Sequence, residues 1–141
     1  MERRKFISTL GAPMLAACAV CMASCSKSSN SPSASVTPPG SVNFSIDLNS
    51  QLTGIGNSLI QNGVIVVRLA SGNVASSFTA LQVTCTHQGG TLGYEVNNND
   101  FLCPNHGSKF STTGAVINGP AVAALKSYTI NISGNTMIIT G

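Results

Sequence analysis

The only two histidines of this 141-residue chain each stand just beyond a cysteine, as Cys85-Thr86-His87 and Cys103-Pro104-Asn105-His106. Thiolate and imidazole are the soft and borderline ligands of protein metal sites. Three chemistries use such a set. A Cys85–Cys103 disulfide suits an exported protein, and leaves both histidines idle. A zinc site of two Cys and two His takes its cysteines as a C-x2–4-C knuckle and its histidines as H-x3–5-H. Here each segment supplies one of each. A [2Fe–2S] cluster with two thiolates on one iron and two imidazoles on the other needs one Cys and one His from each of two loops. The pattern C-x-H-x15-C-x-x-H meets that requirement in order.

The elements that must position these four residues read as strands. Val42–Leu48 alternates apolar and polar, Val64–Leu69 is nearly continuous and β-branched, and Phe78–Val83 runs straight into Cys85. Leu92–Val96 and Phe101–Cys103 flank the turn Asn97-Asn98-Asn99-Asp100, and Tyr128–Ile132 and Thr136–Thr140 flank Ser133-Gly134-Asn135. Asn62-Gly63 is a turn signal of the hairpin kind. No segment after residue 41 carries a helical apolar stripe. The fold class is all-β, a small antiparallel sandwich or barrel. Met137 is expected in the core, Arg68 at a strand edge, and Lys109 as a solvated side chain beside the second loop.

Charged residues are 8% of the chain, against about 25% for an average soluble domain. Three of the seven basic residues are Arg3, Arg4 and Lys5; the remainder of the chain from Ser26 is almost neutral. A nucleic-acid binder of the electrostatic kind is excluded, because phosphate contacts need clustered Lys and Arg. Asp47, Glu95 and Asp100 form no persuasive acid–base pair with any neighbour in sequence.

The basic stretch at the front is followed by an uncharged, largely apolar run to Ala23, the layout of an export signal. Arg3-Arg4-Lys5-Phe6-Ile7 resembles the twin-arginine signal of bacteria. Leu15-Ala16-Ala17-Cys18 and Met22-Ala23-Ser24-Cys25 both resemble the lipobox of bacterial lipoproteins. Cys25 is preferred, because the apolar run stops there and a polar spacer begins; Cys18 is the alternative. Residues 26–40, with six Ser and three Pro, form a linker with almost nothing to bury. The organisation is therefore an export signal over 1–25, a linker over 26–40 and one domain over 41–141. It places the protein in the bacterial periplasm or cell envelope, held on the membrane by lipid chains. An uncleaved anchor and a freely soluble periplasmic form are the alternatives.

Around the ligands, the resemblance is to the Rieske iron–sulfur proteins. Thr84-Cys85-Thr86-His87-Gln88-Gly89-Gly90 resembles the first cluster loop of that family, and Cys103-Pro104-Asn105-His106-Gly107-Ser108-Lys109-Phe110 the second. Gly119-Pro120-Ala121, with Leu125 and Tyr128 beyond it, is similar to the proline loop that covers the cluster. The match spans roughly residues 60–141. It implies one [2Fe–2S] cluster per chain, with Cys85 and Cys103 on the buried iron and His87 and His106, through Nδ1, on the exposed one. Ser108 matches a serine whose hydroxyl donates to a cluster sulfide. Members that oxidise quinol carry an extra Cys in each loop, joined as a disulfide; here those positions hold Gly89 or Gly90 and Asn105. Phe110 lacks a hydroxyl that such members place on a ligand sulfur. Donors to sulfur raise the potential, so the expected value lies below the top of the family range of roughly −150 to +300 mV.

The implied function is one-electron transfer to and from redox partner proteins, with no substrate site of the chain's own. No histidine is left over for the mononuclear iron of an oxygenase. Two alternatives stand beside it. One is an electron-carrier subunit of a larger periplasmic oxidoreductase, arsenite-oxidase-like or bc-type. The other is a redox-inactive metal-binding surface lipoprotein. Intact-mass analysis of the membrane fraction tests the address: the expected species starts at Cys25 and carries lipid, and an unmodified chain starting at Met1 would refute it.

Overall fold

The computed structural model describes residues 40–141. Ten strands follow in order: β1 Asn43–Asp47, β2 Ser58–Gln61, β3 Val64–Arg68, β4 Phe78–Gln82, β5 Gly93–Glu95, β6 Asp100–Leu102, β7 Lys109–Ser111, β8 Val116–Asn118, β9 Thr129–Ser133 and β10 Thr136–Thr140. One short 3-10 turn, Ala75–Ser77, precedes β4. The strands form three antiparallel sheets, ordered β1-β10-β9, β2-β3-β4 and β5-β6-β7-β8. Among the described residues no helix is long and apolar enough to cross a membrane.

Alternation along the middle sheet explains its composition. Successive side chains of a strand point to opposite faces. Val64 and Val66 of β3, with Phe78 and Ala80 of β4, enter one core with Phe44, Ile46, Met137 and Ile139 of the first sheet. Ile65 and Val67 of β3, with Leu81 of β4, enter a second core with Phe101 and Phe110 of the third sheet. A strand buried on both faces has no polar side to show, so β3 reads as an unbroken β-branched run. Cys85 and Cys103 belong to that second core.

The turns follow from their residues. Asn62 (φ 49°) and Gly63 (φ 76°) both lie in the left-handed region, as a type I′ hairpin requires. The strand on the near side of that turn, Ser58–Gln61, escapes sequence reading because it buries no side chain: Leu59 and Gln61 are half-buried, Ser58 and Ile60 exposed. β7 and β8 escape it too, with one buried side chain, Phe110, between them.

Two expectations are corrected here. Arg68 does not reach an edge: it is buried at 6% exposure. Its guanidinium donates to the carbonyl of Leu52, to that of Gly72 at 3.0 Å and to Asn73 Oδ1 at 2.8 Å, and it lies 4.5 Å over the Phe78 ring. Five donors in a rigid fork can satisfy several loop acceptors at once. Lys109 is not a free surface cation: its Nζ lies 2.8 Å from Glu95 and 3.2 Å from Asp100. The strand pairing sets those three groups on one face, although 14 and 9 residues separate them from Lys109 in sequence. The Lys109 ammonium holds the Glu95 carboxyl below its ordinary pKa, with help from the Asn98 amide.

Arg68→Met keeps the volume of the side chain and strips the loop acceptors of their donor. It should destabilise the fold by about 1–3 kcal/mol, the cost of a buried polar group left unpaired. Lys109→Met, at a half-exposed site, should lower the denaturation midpoint far less. Urea unfolding of the two variants side by side checks the ranking.

Candidate metal centre

β4 and β5 deliver the first loop; β6 and β7 deliver the second. Across the first loop Thr84 and Thr91 pair as an isolated bridge. Across the second, Leu102 pairs with Lys109. The two loops then repeat one hydrogen-bond scheme. The Cys85 amide donates to Gly90 O (2.8 Å), and the Gly89 amide donates back to Cys85 O (3.1 Å). The Cys103 amide donates to Ser108 O (2.9 Å), and the Gly107 amide donates back to Cys103 O (2.9 Å). In each, the residue four beyond the Cys is a glycine in the left-handed region, Gly89 at φ 80° and Gly107 at φ 76°, where a side chain is strained.

This repeat places like groups together. Cys85 and Cys103 are buried free thiols, at 2% and 1% exposure. Both belong to the second core. The rings of His87 and His106 meet edge to face with centroids 4.9 Å apart. His87 is half-buried and His106 exposed. Thiols thus lie inward and imidazoles outward. Burial pushes the Cys85 thiol above its ordinary pKa and the Cys103 thiol adds to this; the His87 backbone amide and the Ser108 hydroxyl act the other way.

The donor set fits a two-iron cluster. His87 Nδ1 is buried and has no hydrogen-bond partner; a ring nitrogen in that position is either a standing cost or a ligand. Among the described residues no three Cys, His, Asp or Glu side chains converge as a single-ion site requires. A [2Fe–2S] cluster asks for only two protein ligands at each iron.

The remaining predicted residues lie around this tip. Ser108 is fully buried, and its Oγ accepts the Ala121 amide at 3.0 Å. The segment 119–125 lies across both loops: the Thr86 hydroxyl donates to Ala123 O at 2.6 Å, and the Asn118 amide donates to Gly107 O at 3.2 Å. Phe110 is buried opposite Phe101. Gly90, rather than Gly89, faces Asn105. A Cβ on Gly90 would sit 2.8 Å from Asn105 Nδ2 and 2.9 Å from Cys103 Sγ, closer than real Cβ atoms approach. One functional residue has no sequence signal. Gln82, 6% exposed, donates to Thr84 O at 2.7 Å and accepts the Lys126 amide at 3.0 Å. It joins the start of the first ligand loop to the end of the covering segment. Cys18 and Cys25 lie outside the described residues.

Comparison with known proteins agrees with this geometry. Residues 44–129 match the Rieske [2Fe-2S] domain family. The cytochrome b6-f complex iron-sulfur subunit of Chlorobaculum thiosulfatiphilum is 36% identical over 80 residues, which are 57% of this chain and 41% of that protein. The chain therefore spans less than half the length of that relative. Among solved structures, one of a hyperthermophilic respiratory Complex III superposes with a TM-score of 0.54 at 23% identity, covering 66% of this chain and 71% of that one. The ferredoxin of carbazole 1,9a-dioxygenase from Nocardioides aromaticivorans IC177 does so with a TM-score of 0.53 at 20% identity, covering 67% of this chain and 91% of the ferredoxin. These two likenesses concern the fold. With the family match spanning most of the chain and the paired Cys/His loops at its tip, the chain belongs to the Rieske [2Fe–2S] domain family, a domain that carries single electrons on an iron–sulfur cluster.

Proposed function

We propose that Cys85 and Cys103 hold one iron of the cluster and His87 and His106 the other, and that the protein is a membrane-anchored one-electron carrier of the bacterial cell envelope. The observation that carries the ligand set is the duplicated loop. The same hydrogen bonds, built twice, bring two thiols and two imidazoles to one end of the domain, with His87 Nδ1 left without a protein partner. When bound, the cluster supplies one reversible redox equivalent. The chain supplies the rest. Its second core excludes water from the thiolates, the Ser108 hydroxyl donates toward sulfur, and the exposed His106 ring gives an electron a short path to a docked protein.

The anchor is the lipid expected on Cys25 or Cys18, followed by the linker over 26–40 and the domain over 41–141. The partners are redox proteins of the same envelope. A second reading, a subunit of a larger bc-type complex, is favoured by the relative named as a cytochrome b6-f iron-sulfur subunit. The Gly90–Asn105 pair weighs against a quinol-oxidising role, since the loop disulfide of such members has no counterpart in it. Purification from native membranes separates the two: a lone lipidated chain starting at Cys25 supports the carrier, and co-purifying cytochromes support the complex.

The ligand set is tested by electron paramagnetic resonance of the dithionite-reduced protein. The expected result is a rhombic signal whose average g lies below the free-electron value. Cys85→Ser and Cys103→Ser should abolish it. His106→Cys puts a charged thiolate where a neutral imidazole stood. It should drive the potential down towards the plant-type range of about −400 mV. Iron bound without a redox signal would refute the assignment.

Gly90→Ala should cut cluster loading severely, because its Cβ has no room beside Asn105 and Cys103 Sγ. Gly93→Ala, where a Cβ meets nothing within 4 Å, should load normally. Iron content per chain of the two variants decides this.

A further inference from the structure

β4 leaves part of its edge unused. Ser77 O accepts from the Leu69 amide, and in an antiparallel pair the bonded residues alternate. Thr79 and Leu81 therefore turn their backbone groups to β3, and Phe78, Ala80 and Gln82 turn theirs away. On that far side the Gln82 amide donates to Lys126 O at 2.8 Å, and Ala80 O accepts the Tyr128 amide at 2.9 Å. The Phe78 amide donates to Ala75 O. Past Tyr128 the chain leaves β4 and pairs with β10 from Thr129 on. Phe78 C=O and Ala80 N–H are left with no hydrogen bond among the described residues. Both residues are buried, at 5% and 3% exposure, and buried backbone groups without partners are rare.

The same two residues line a cavity of about 440 Å³ between β4, the β7–β8 turn and the start of β9, a size within the roughly 300–1,000 Å³ of small-molecule sites. Leu81 and Ile130 give it apolar walls, and the exposed Ser76 and Ser127 give its rim hydroxyls. Among the described residues no charged side chain lines it. Tyr128 lines it as well; that residue is 6% exposed and its hydroxyl is also unpartnered. A carbonyl and an amide two residues apart on one strand edge bond the N–H and C=O of a single extended residue, as in a parallel ladder. The molecule that fits carries an N–H and a C=O at that spacing on an apolar body, and no charge. Only one residue's length of edge is open, since Ala75 closes it on one side and Lys126 and Tyr128 on the other. A long strand has no room to pair.

We infer that the cavity along β4 is a binding site for a small, uncharged amide, held by Phe78 C=O and Ala80 N–H with its apolar part against Leu81 and Ile130. The site shares no residue with the paired Cys/His loops and stands whether or not the ligand set proposed above holds.

The test is a titration of the full-length, cluster-loaded protein with N-acetyl-leucine methylamide, followed in the amide NMR spectrum. The expected result is a saturable shift greatest at Ala80, with slower deuterium exchange of the Ala80 amide. The analogue methylated on the leucine nitrogen cannot donate to Phe78 O. It should bind about tenfold more weakly, the cost of leaving a buried acceptor unpaired. Ser76→Trp fills the rim and should abolish the shift while leaving the amide spectrum of the second core unchanged. Should that variant unfold, the comparison of the two probes on the unmutated protein decides. No saturable shift, a shift centred away from Ala80, equal binding of the methylated analogue, or undiminished binding to a folded Ser76→Trp protein overturns the inference. So does tighter binding of a capped apolar pentapeptide, which would mark the edge as a strand-pairing site.

Discussion

Two thiols must lie side by side in an apolar core and stay separate. Most of the architecture answers to that constraint. Cys85 and Cys103 pack among Leu81, Leu92, Phe101 and Phe110, and burial there pushes the Cys85 thiol above its ordinary pKa. Nothing in the core itself favours the charged form a metal ligand needs. The compensating groups come from the loops: the His87 backbone amide and the Ser108 hydroxyl both act against that rise. Each loop closes on itself through the same pair of backbone bonds, which spends its own amides on shape and leaves the tip to the side chains.

The middle sheet makes that core possible. Its central strand has apolar residues on both faces, one set packed with the first sheet and the other with the sheet that carries the second ligand loop. A domain of this size could not otherwise bury a cysteine-lined core and remain stable, since small domains bury a modest share of their surface. Where β3 ends, Arg68 takes over from hydrophobic packing and gathers the carbonyls of Leu52 and Gly72 with the Asn73 amide. Gln82 does the same one strand later, between Thr84 and Lys126.

The few charges of the domain are largely satisfied within it. Lys109 is shared by Glu95 and Asp100, Arg68 is buried on backbone carbonyls, and Asp47 accepts the amides of Asn49. The three loops of the tip, over 84–91, 103–108 and 119–125, contain no Asp, Glu, Lys or Arg. The domain presents little field to steer a partner over distance.

Residue type and spacing by themselves determined a good deal. C-x-H and C-x-x-H singled out the two Cys and two His that the fold brings to one end of the domain. The unbroken run Val64–Val67 marked a strand with two covered faces, and Asn62-Gly63 demanded a left-handed turn. These are local properties, set by the side chain or by neighbours within a few residues. Contacts across the chain were decided only by the tertiary structure. Gly90 rather than Gly89 meets Asn105, Thr86 reaches Ala123, Ser108 takes the Ala121 amide, and half-exposed Lys109 is paired with two acids. Each joins residues brought together by strand register and loop packing. A hydrogen bond between distant residues has no period or local propensity to announce it. Arg68 shows the difference most plainly: its sequence neighbours suggest an edge, and only the fold shows the three loop acceptors that its buried guanidinium satisfies.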